Sequence, residues 1–219
     1  MPEHLHGAAP RLARYRVPTG EAQSELVAKN SAFIGTAGPA PTVEAAQAFI
    51  AAVRARYANA NHNAWAYRLF DGGQALFGSS DDGEPGGTAG RPILAVLEGS
   101  GLNQVAAVVT RYFGGTLLGT GGLVRAYGGA AREALAVLPT RELALHAIAH
   151  LRVDYGLHGN LRYLLPRQGV LIEDEEFADQ VTLHLAIPHE QVPELARLLR
   201  ELSNGALNLD RCLAGERYL

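Results

Sequence analysis

The sequence predicts an α+β protein with two domains, and two observations carry that prediction. First, residues from about 142 to 219 follow the order strand, helix, strand, strand, helix, strand, which is the ferredoxin-like unit. Second, two glycine-rich polar segments, 80–92 and 111–127, each lead into an apolar helical pattern. We therefore predict an α/β domain at 1–139 and a ferredoxin-like domain at 140–219.

The elements of the first domain follow from turn and cap signals. We expect two strands paired around Pro18-Thr19-Gly20, a third strand, a helix capped by Thr42, and a hairpin around Asp71-Gly72-Gly73. The corresponding ranges are 12–17, 24–29, 32–37, 43–57, 65–70 and 75–77. A helix, a buried strand and a second helix follow at 91–97, 104–110 and 123–138.

The elements of the second domain follow from hydrophobic periodicity. Alternation of apolar and polar residues predicts strands at 142–154, 181–187 and 206–213, and a further strand begins at Val170. Apolar stripes with helical spacing predict helices at 157–165 and 190–202.

Composition narrows the class of protein. The chain has 219 residues, a formal net charge of −3 and one cysteine, so we expect no disulfide framework, no cysteine metal cluster and no polybasic nucleic-acid binder. No apolar run approaches a membrane span and no signal peptide is recognisable, so we expect a cytoplasmic protein. Lys29 is the one lysine, so arginine supplies nearly all the positive charge, and its fork suits phosphate and carboxylate groups.

The second glycine-rich segment is a candidate anion site. It joins a predicted strand to a helix whose amino-terminal amides, from Gly119 to Leu123, favour an anion. Arg111 and Arg125 would add charge-assisted hydrogen bonds, and aromatic rings would stack on bases. The candidate set is Arg111, Tyr112, Phe113, Gly114, Gly115, Gly119, Thr120, Gly121, Gly122, Arg125 and Tyr127. The spacing matches neither a P-loop nor a dinucleotide fingerprint, and two tight turns without a ligand remain an alternative.

The first glycine-rich segment is a candidate acidic loop. Asp81, Asp82 and Glu84 are suited to hold a hard cation or to act in acid–base chemistry, or else to cap the loop through backbone amides. Thr88 reads as the N-cap of the following helix. The spacing is not that of a known metal loop, so we assign no metal and no cofactor.

The histidines do not cluster in the sequence. His62 lies in a polar segment just before a predicted strand, where a site residue and a hydrogen-bonded turn histidine are equally compatible with the pattern. No esterase or zinc-protease motif occurs.

Several segments resemble the YigZ/IMPACT family. SDDGEPGGTAGRPIL, VVTRYFGGTLLGTGGLVRAYGGAAREAL, NHNAWAYR and KNSAFIG are similar to its motifs, which together cover about residues 20–139. Gly86, Ala32 and Ala64 depart from them, where the family usually carries serine, arginine and cysteine. The region after Thr140 resembles elongation factor G domain V.

The resemblance implies a first domain with the fold of the second domain of a small-subunit ribosomal protein. That fold also occurs in elongation factor G domain IV and in small-molecule kinases, and the eukaryotic relatives are linked to translational control. The favoured hypothesis is a translation-associated protein that contacts RNA or the ribosome through its first domain.

Two alternatives stay open from the sequence. The chain is also compatible with an enzyme that acts on a phosphorylated or acidic small molecule through the two glycine-rich loops. A regulatory protein partner is the third reading, because residues 141–219 carry a formal charge of −4 with an acidic bend at Glu173–Glu176.

Overall fold

The computed structural model describes residues 13–71 and 74–219. The described chain divides into two compact units, one of residues 15–142 and one of residues 13–14 and 143–219. Mixed strands and helices in both units confirm the α+β class.

The first unit contains a five-stranded sheet and three helices. The sheet order is β2-β3-β6-β4-β5, and each neighbouring pair is antiparallel. Its strands are β2 (Ala22–Ala28), β3 (Ser31–Pro39), β4 (His62–Asp71), β5 (Gln74–Ser80) and β6 (Val105–Tyr112). The helices are α1 (Val43–Arg56), α2 (Gly90–Gly99) and α3 (Thr120–Ala136). Thr42 caps α1 as predicted, because its hydroxyl accepts from the Ala45 amide at 3.1 Å.

The central strand β6 explains the layering of this unit. Val105, Ala107 and Val109 pack in the core formed with α2 and α3, whereas Val108 packs with Ile50 of α1 on the other face. Because the strand is buried on both faces, its sequence reads as a nearly continuous apolar run. Its last residues therefore carry the chain from the core to one edge of the sheet.

The second unit has the predicted ferredoxin-like order. Its elements are β7 (Thr140–Val153), α4 (Tyr155–Arg167), β8 (Leu171–Phe177), β9 (Val181–Pro188), α5 (Val192–Leu202) and β10 (Leu213–Tyr218). The strands lie in the order β10-β7-β9-β8, and each neighbouring pair is antiparallel. A core of aliphatic side chains lies between this sheet and the two helices.

One predicted pairing, of the strand at 12–17 with the strand at 24–29, is wrong, and so is the predicted strand at 206–213. The strand β1 (Arg14–Pro18) belongs to the sheet of β7, and β2 pairs with β3 through a two-residue turn at Lys29-Asn30. Both turn residues have positive φ, which matches the twist of a hairpin. The last strand begins at Leu213 and not at residue 206.

Apolar and polar residues alternate at 206–213 although the segment is a loop, because this loop buries leucines at the same two-residue spacing as a strand. Leu209 lies in a single 3-10 turn and is buried in the second core, with Leu207 packed against it. The Asn208 side chain accepts from the Asp210 amide at 3.0 Å, which stabilises the turn.

Among the described residues, no helix combines the length and the apolar character needed to span a membrane.

Candidate functional site

One edge of the first sheet gathers most of the predicted site residues. His62, at the start of β4, pairs with Arg111 near the end of β6, and Ser80 ends β5 beside Trp65. The acidic loop 81–89 and the glycine-rich loop 113–119 both leave from this edge. The antiparallel register therefore brings together segments that are up to 50 residues apart in the sequence.

A buried ion pair forms the centre of this edge. Arg111 Nη1 donates to Glu84 Oε1 at 2.7 Å, and the two side chains are only 7% and 3% exposed. Tyr127, fully buried in α3, donates its hydroxyl to the same oxygen at 2.6 Å. Burial, followed by the bond to Glu84, raises the pKa of Tyr127 far above its usual value. The tyrosine therefore remains a neutral hydrogen-bond donor.

Aromatic rings enclose the Arg111 guanidinium. Its central carbon lies 5.5 Å from the centre of the Phe33 ring and 5.4 Å from that of Phe113. Phe33 also meets Tyr127 edge to face at 5.2 Å. Arg111 Nε is buried without a hydrogen-bond partner among the described residues. This arrangement is typical of a buried polar network that stabilises a domain; its members are Glu84, Arg111, Tyr127 and Phe33.

Asp82 connects three elements around His62. Its carboxylate accepts from the Asn63 amide and from Arg54 of α1, both at 2.7 Å. Its carbonyl oxygen lies 2.8 Å from His62 Nδ1, and because a carbonyl only accepts, this nitrogen is the donor. The other nitrogen, Nε2, faces Glu84 Oε1 at 3.9 Å. His62 is thus a hydrogen-bonded residue at the border of the buried cluster.

Asp81 acts as a cap for the loop and for α2. Its carboxylate accepts from the amides of Gly87, Ala89 and Gly90 at 2.7, 2.9 and 2.8 Å. Burial pushes the pKa of Asp81 upward, but these three bonds outweigh burial and leave it below its usual value. Asp81 therefore caps the loop, which was one of the two predicted roles of these carboxylates. It also caps the start of α2, the role predicted for Thr88. Thr88 is not the N-cap, since its hydroxyl donates to the Pro85 carbonyl at 2.6 Å.

The three carboxylates of the acidic loop do not converge. Asp81 faces the start of α2, Asp82 faces β4 and α1, and Glu84 faces Arg111 and Tyr127. In the described ranges no group of three acidic, histidine or cysteine side chains is arranged to hold a metal ion. Each carboxylate therefore has its own hydrogen-bond donors, and the three do not form a shared cation site.

Close packing explains Gly114, the first glycine of the second segment. A Cβ at Gly114 would lie 2.0 Å from the Asn30 carbonyl oxygen, so the loop can cross the β2–β3 turn only with glycine. Next to it, the Phe113 amide donates to the Asn61 side chain at 2.7 Å, and the Tyr112 hydroxyl donates to Asn59 at 2.8 Å. The residues beyond, from Gly115 to Leu117, are exposed.

The start of α3 is open to solvent and uncapped. Gly119 has a φ of 73° and offers no side chain, and no acidic residue lies in the first turn. The first intrahelical bond is donated by the Leu123 amide, so the amides of Thr120, Gly121 and Gly122 point outward without an intrahelical acceptor. The positive end of the helix dipole is therefore unneutralised.

Two cations flank this helix start. Arg125 is exposed and forms no ion pair with a described residue, and a Cβ at Gly121 would lie 3.6 Å from its Nη1. Lys29, at the β2–β3 turn, donates to the Leu117 carbonyl at 3.3 Å. Both side chains line a groove of about 330 Å³ with an apolar floor, which we call the Lys29–Arg125 groove; its other residues are Leu26, Ala28, Leu118, Gly122 and Ala126.

The structure thus separates residues that the sequence places in one set. Arg125, Phe113 and the amides of residues 120–122 are accessible, whereas Arg111 and Tyr127 are buried and occupied by Glu84. Lys29 was not among the residues predicted for the site, although it is the one lysine of the chain and lies in a hairpin turn. Arg54 and Phe33 were not predicted either, because their roles depend on contacts across the sheet.

Comparison with known proteins identifies relatives over most of the chain. Residues 29–135 match the Impact N-terminal domain, and residues 151–206 match a domain of unknown function, DUF1949. The chain is 42% identical over 183 residues to the IMPACT family member YigZ of Escherichia coli, covering 83% of this chain and 89% of that protein. It is 37% identical over 206 residues to an IMPACT family member of Haemophilus influenzae, covering 94% and 100%.

A solved structure has the same architecture. It is described as the crystal structure of a hypothetical protein, is 35% identical, and superposes with a TM-score of 0.60 over 95% of this chain and 98% of that one. Together with the two sequence relatives, this match agrees with the motifs at both glycine-rich loops. The chain therefore belongs to the IMPACT family.

Proposed function

We propose that this protein is an RNA- or ribosome-associated factor linked to the regulation of translation, and that the Lys29–Arg125 groove holds a backbone phosphate. The observation that carries the proposal is that Lys29 and Arg125 line one groove together with Gly122, beside the uncapped start of α3. Family membership supports the same direction, since the resemblance of these motifs implies a link to translational control.

The chemistry of this groove matches a phosphate group. Amides at a helix start bind anions through hydrogen bonds and the helix dipole, and Arg125 adds a charge-assisted fork. The described residues place no carboxylate in the lining that would compete for these donors. A nearby carboxylate would have weakened anion binding by direct repulsion.

The neighbouring loop offers a surface for a base. Phe113 is 45% exposed and lies in the loop that leads to α3, so its ring is accessible to a single-stranded base. Arg111 holds this ring from inside the domain through the contact at 5.4 Å. Arg111 is therefore a positioning residue, and the phosphate contact belongs to Arg125.

The small number of free cations sets the expected affinity. Two phosphate contacts to a single strand correspond to a slope of about −1.4 in log affinity against log salt concentration. Binding to naked RNA is therefore expected to be weak and to persist only at low salt. A ribosome would present the same phosphate chemistry together with protein surfaces.

Co-sedimentation with ribosomes tests the proposal. We compare the natural protein with Lys29→Ala/Arg125→Ala and with Arg132→Ala, an exposed arginine two turns further along α3. The proposal predicts saturable binding that the double variant loses and the Arg132 control keeps. Absence of binding at low salt, or equal loss in the control, would contradict it.

A further inference from the structure

The outer surfaces of α2 and α3 enclose a second groove of about 890 Å³. Pro92, Ala95 and Val96 form its α2 wall, and Val124, Gly128 and Arg132 lie along its α3 wall. From Val124 to Ala136 the groove follows about 18 Å of helix, the length of some three turns. We call it the α2–α3 groove.

The floor of this groove contains a glycine, Gly128, that the packing of α2 against α3 does not require. Gly128 costs about 1 kcal/mol of helix stability relative to alanine. A Cβ at this position would meet Pro92 and Val96 at 3.8 Å, an ordinary van der Waals distance, and φ is not positive. Its neighbour Gly129 differs, because a Cβ there would lie 3.1 Å from Leu26. Internal packing therefore accounts for Gly129 but not for Gly128.

The rim of the groove carries positive charge alone. Arg125 and Arg132 line it seven residues apart, so both guanidinium groups project from one side of α3. Neither forms an ion pair with a described residue, and no carboxylate is among the described residues of the lining. The complementary ligand has an apolar strip with acidic groups beside it.

Two further features select the kind of ligand. In the part of the chain that the structure describes, the lining has no aromatic ring on which a base could stack, which disfavours a nucleic acid. The walls are helices, whose backbone groups are satisfied internally, so an extended peptide would find no hydrogen-bond partners. An amphipathic helix satisfies its own backbone and buries aliphatic side chains at helical spacing.

We propose that the α2–α3 groove binds an acidic amphipathic helix of a partner protein, with aliphatic side chains over Gly128 and carboxylates opposite Arg132. This surface is separate from the phosphate contact proposed above, with which it shares only Arg125. The partner is thus recognised by shape at the floor and by charge at the rim.

The test uses a fluorescent synthetic peptide of about sixteen residues, with leucines three and four residues apart and glutamates beside them. A peptide of the same composition in scrambled order is the control. Gly128→Leu fills the floor, and Gly128→Ala is its matched variant. Arg132→Glu reverses the rim charge, and a second peptide carries lysine in place of each glutamate.

The proposal predicts saturable binding of the patterned peptide, loss of binding in Gly128→Leu, and a weakening of about fivefold in Arg132→Glu. The lysine peptide is expected to bind Arg132→Glu better than it binds the natural protein. Both Gly128 variants are expected to keep the natural melting temperature or exceed it, which shows that they fold. Equal binding of the scrambled peptide, or unchanged binding in Gly128→Leu, would overturn the proposal. Loss of RNA binding in Gly128→Leu would also overturn it, by assigning the groove to nucleic acid.

Discussion

Substitution Arg111→Met removes the cation of the buried ion pair while keeping an unbranched side chain between Phe33 and Phe113. Glu84, 3% exposed, then loses its guanidinium partner and keeps the Tyr127 hydroxyl at 2.6 Å, with His62 Nε2 3.9 Å away. An uncompensated buried charge costs about 3–5 kcal/mol, a large part of the 5–15 kcal/mol that typically stabilises a protein. We expect the free energy of unfolding to fall by that amount.

A double-mutant cycle with Glu84→Gln measures the pair itself. Because both charges are absent from Arg111→Met/Glu84→Gln, the double variant should lose less stability than the sum of the two single losses, by about 2 kcal/mol. The assay is equilibrium urea unfolding followed by fluorescence of Trp65, the one tryptophan, which lies in β4 of the first unit. Additive losses within about 0.5 kcal/mol, or a single loss below about 1 kcal/mol, would refute the reasoning.

The remaining predictions concern three other residues of the site. The pKa of Tyr127 is raised in the folded state, so the stability that its protonated hydroxyl provides is present below the unfolded pKa of 10 and is lost as the pH rises further. Above pH 10 the free energy of unfolding of the natural protein should therefore fall by about 1.4 kcal/mol per pH unit more than that of Tyr127→Phe. Alkaline unfolding curves measure this, and equal slopes for the two proteins would contradict it. The pKa of Asp81 is lowered in the folded state, so the stability that its carboxylate provides is present above the unfolded pKa of 3.8 and is lost as the pH falls. Asp81→Ala should lower the free energy of unfolding by about 2–4 kcal/mol at neutral pH, measured by urea unfolding, and by less at acid pH. Gly114→Ala should lower stability by more than about 2 kcal/mol because of the clash with Asn30, whereas Gly86→Ala, with no atom within 4 Å, should be neutral; similar melting temperatures for both would count against the close crossing.

Most of the fold can be predicted from the sequence, because most helices and strands show their pattern within a single segment of the chain. The ferredoxin-like order rests on alternation and on stripes that a single element displays, and the Thr42 cap needs only its own first turn. The two errors have different causes. Nothing in residues 12–17 states which sheet they join, and a buried loop produced the alternation around Leu209.

The candidate site was less accessible to sequence analysis, because burial decides the role of a charged residue. Arg111 and Arg125 belong to the same glycine-rich motif, but Arg111 is the last inward-facing position of β6 and Arg125 lies on the outer side of α3. Only the sheet register brings Glu84 to Arg111. Only the hairpin turn brings Lys29 to the loop before α3.

The salt dependence of single-stranded RNA binding tests the central claim most directly. Fluorescence anisotropy at several low salt concentrations gives the slope of log affinity for the natural protein, for Lys29→Ala/Arg125→Ala and for the Arg132→Ala control. The Lys29–Arg125 groove predicts that the double variant lowers the magnitude of the slope by about 1.4 and that the control leaves it unchanged. An unchanged slope in the double variant would contradict the assignment of phosphate binding to the start of α3.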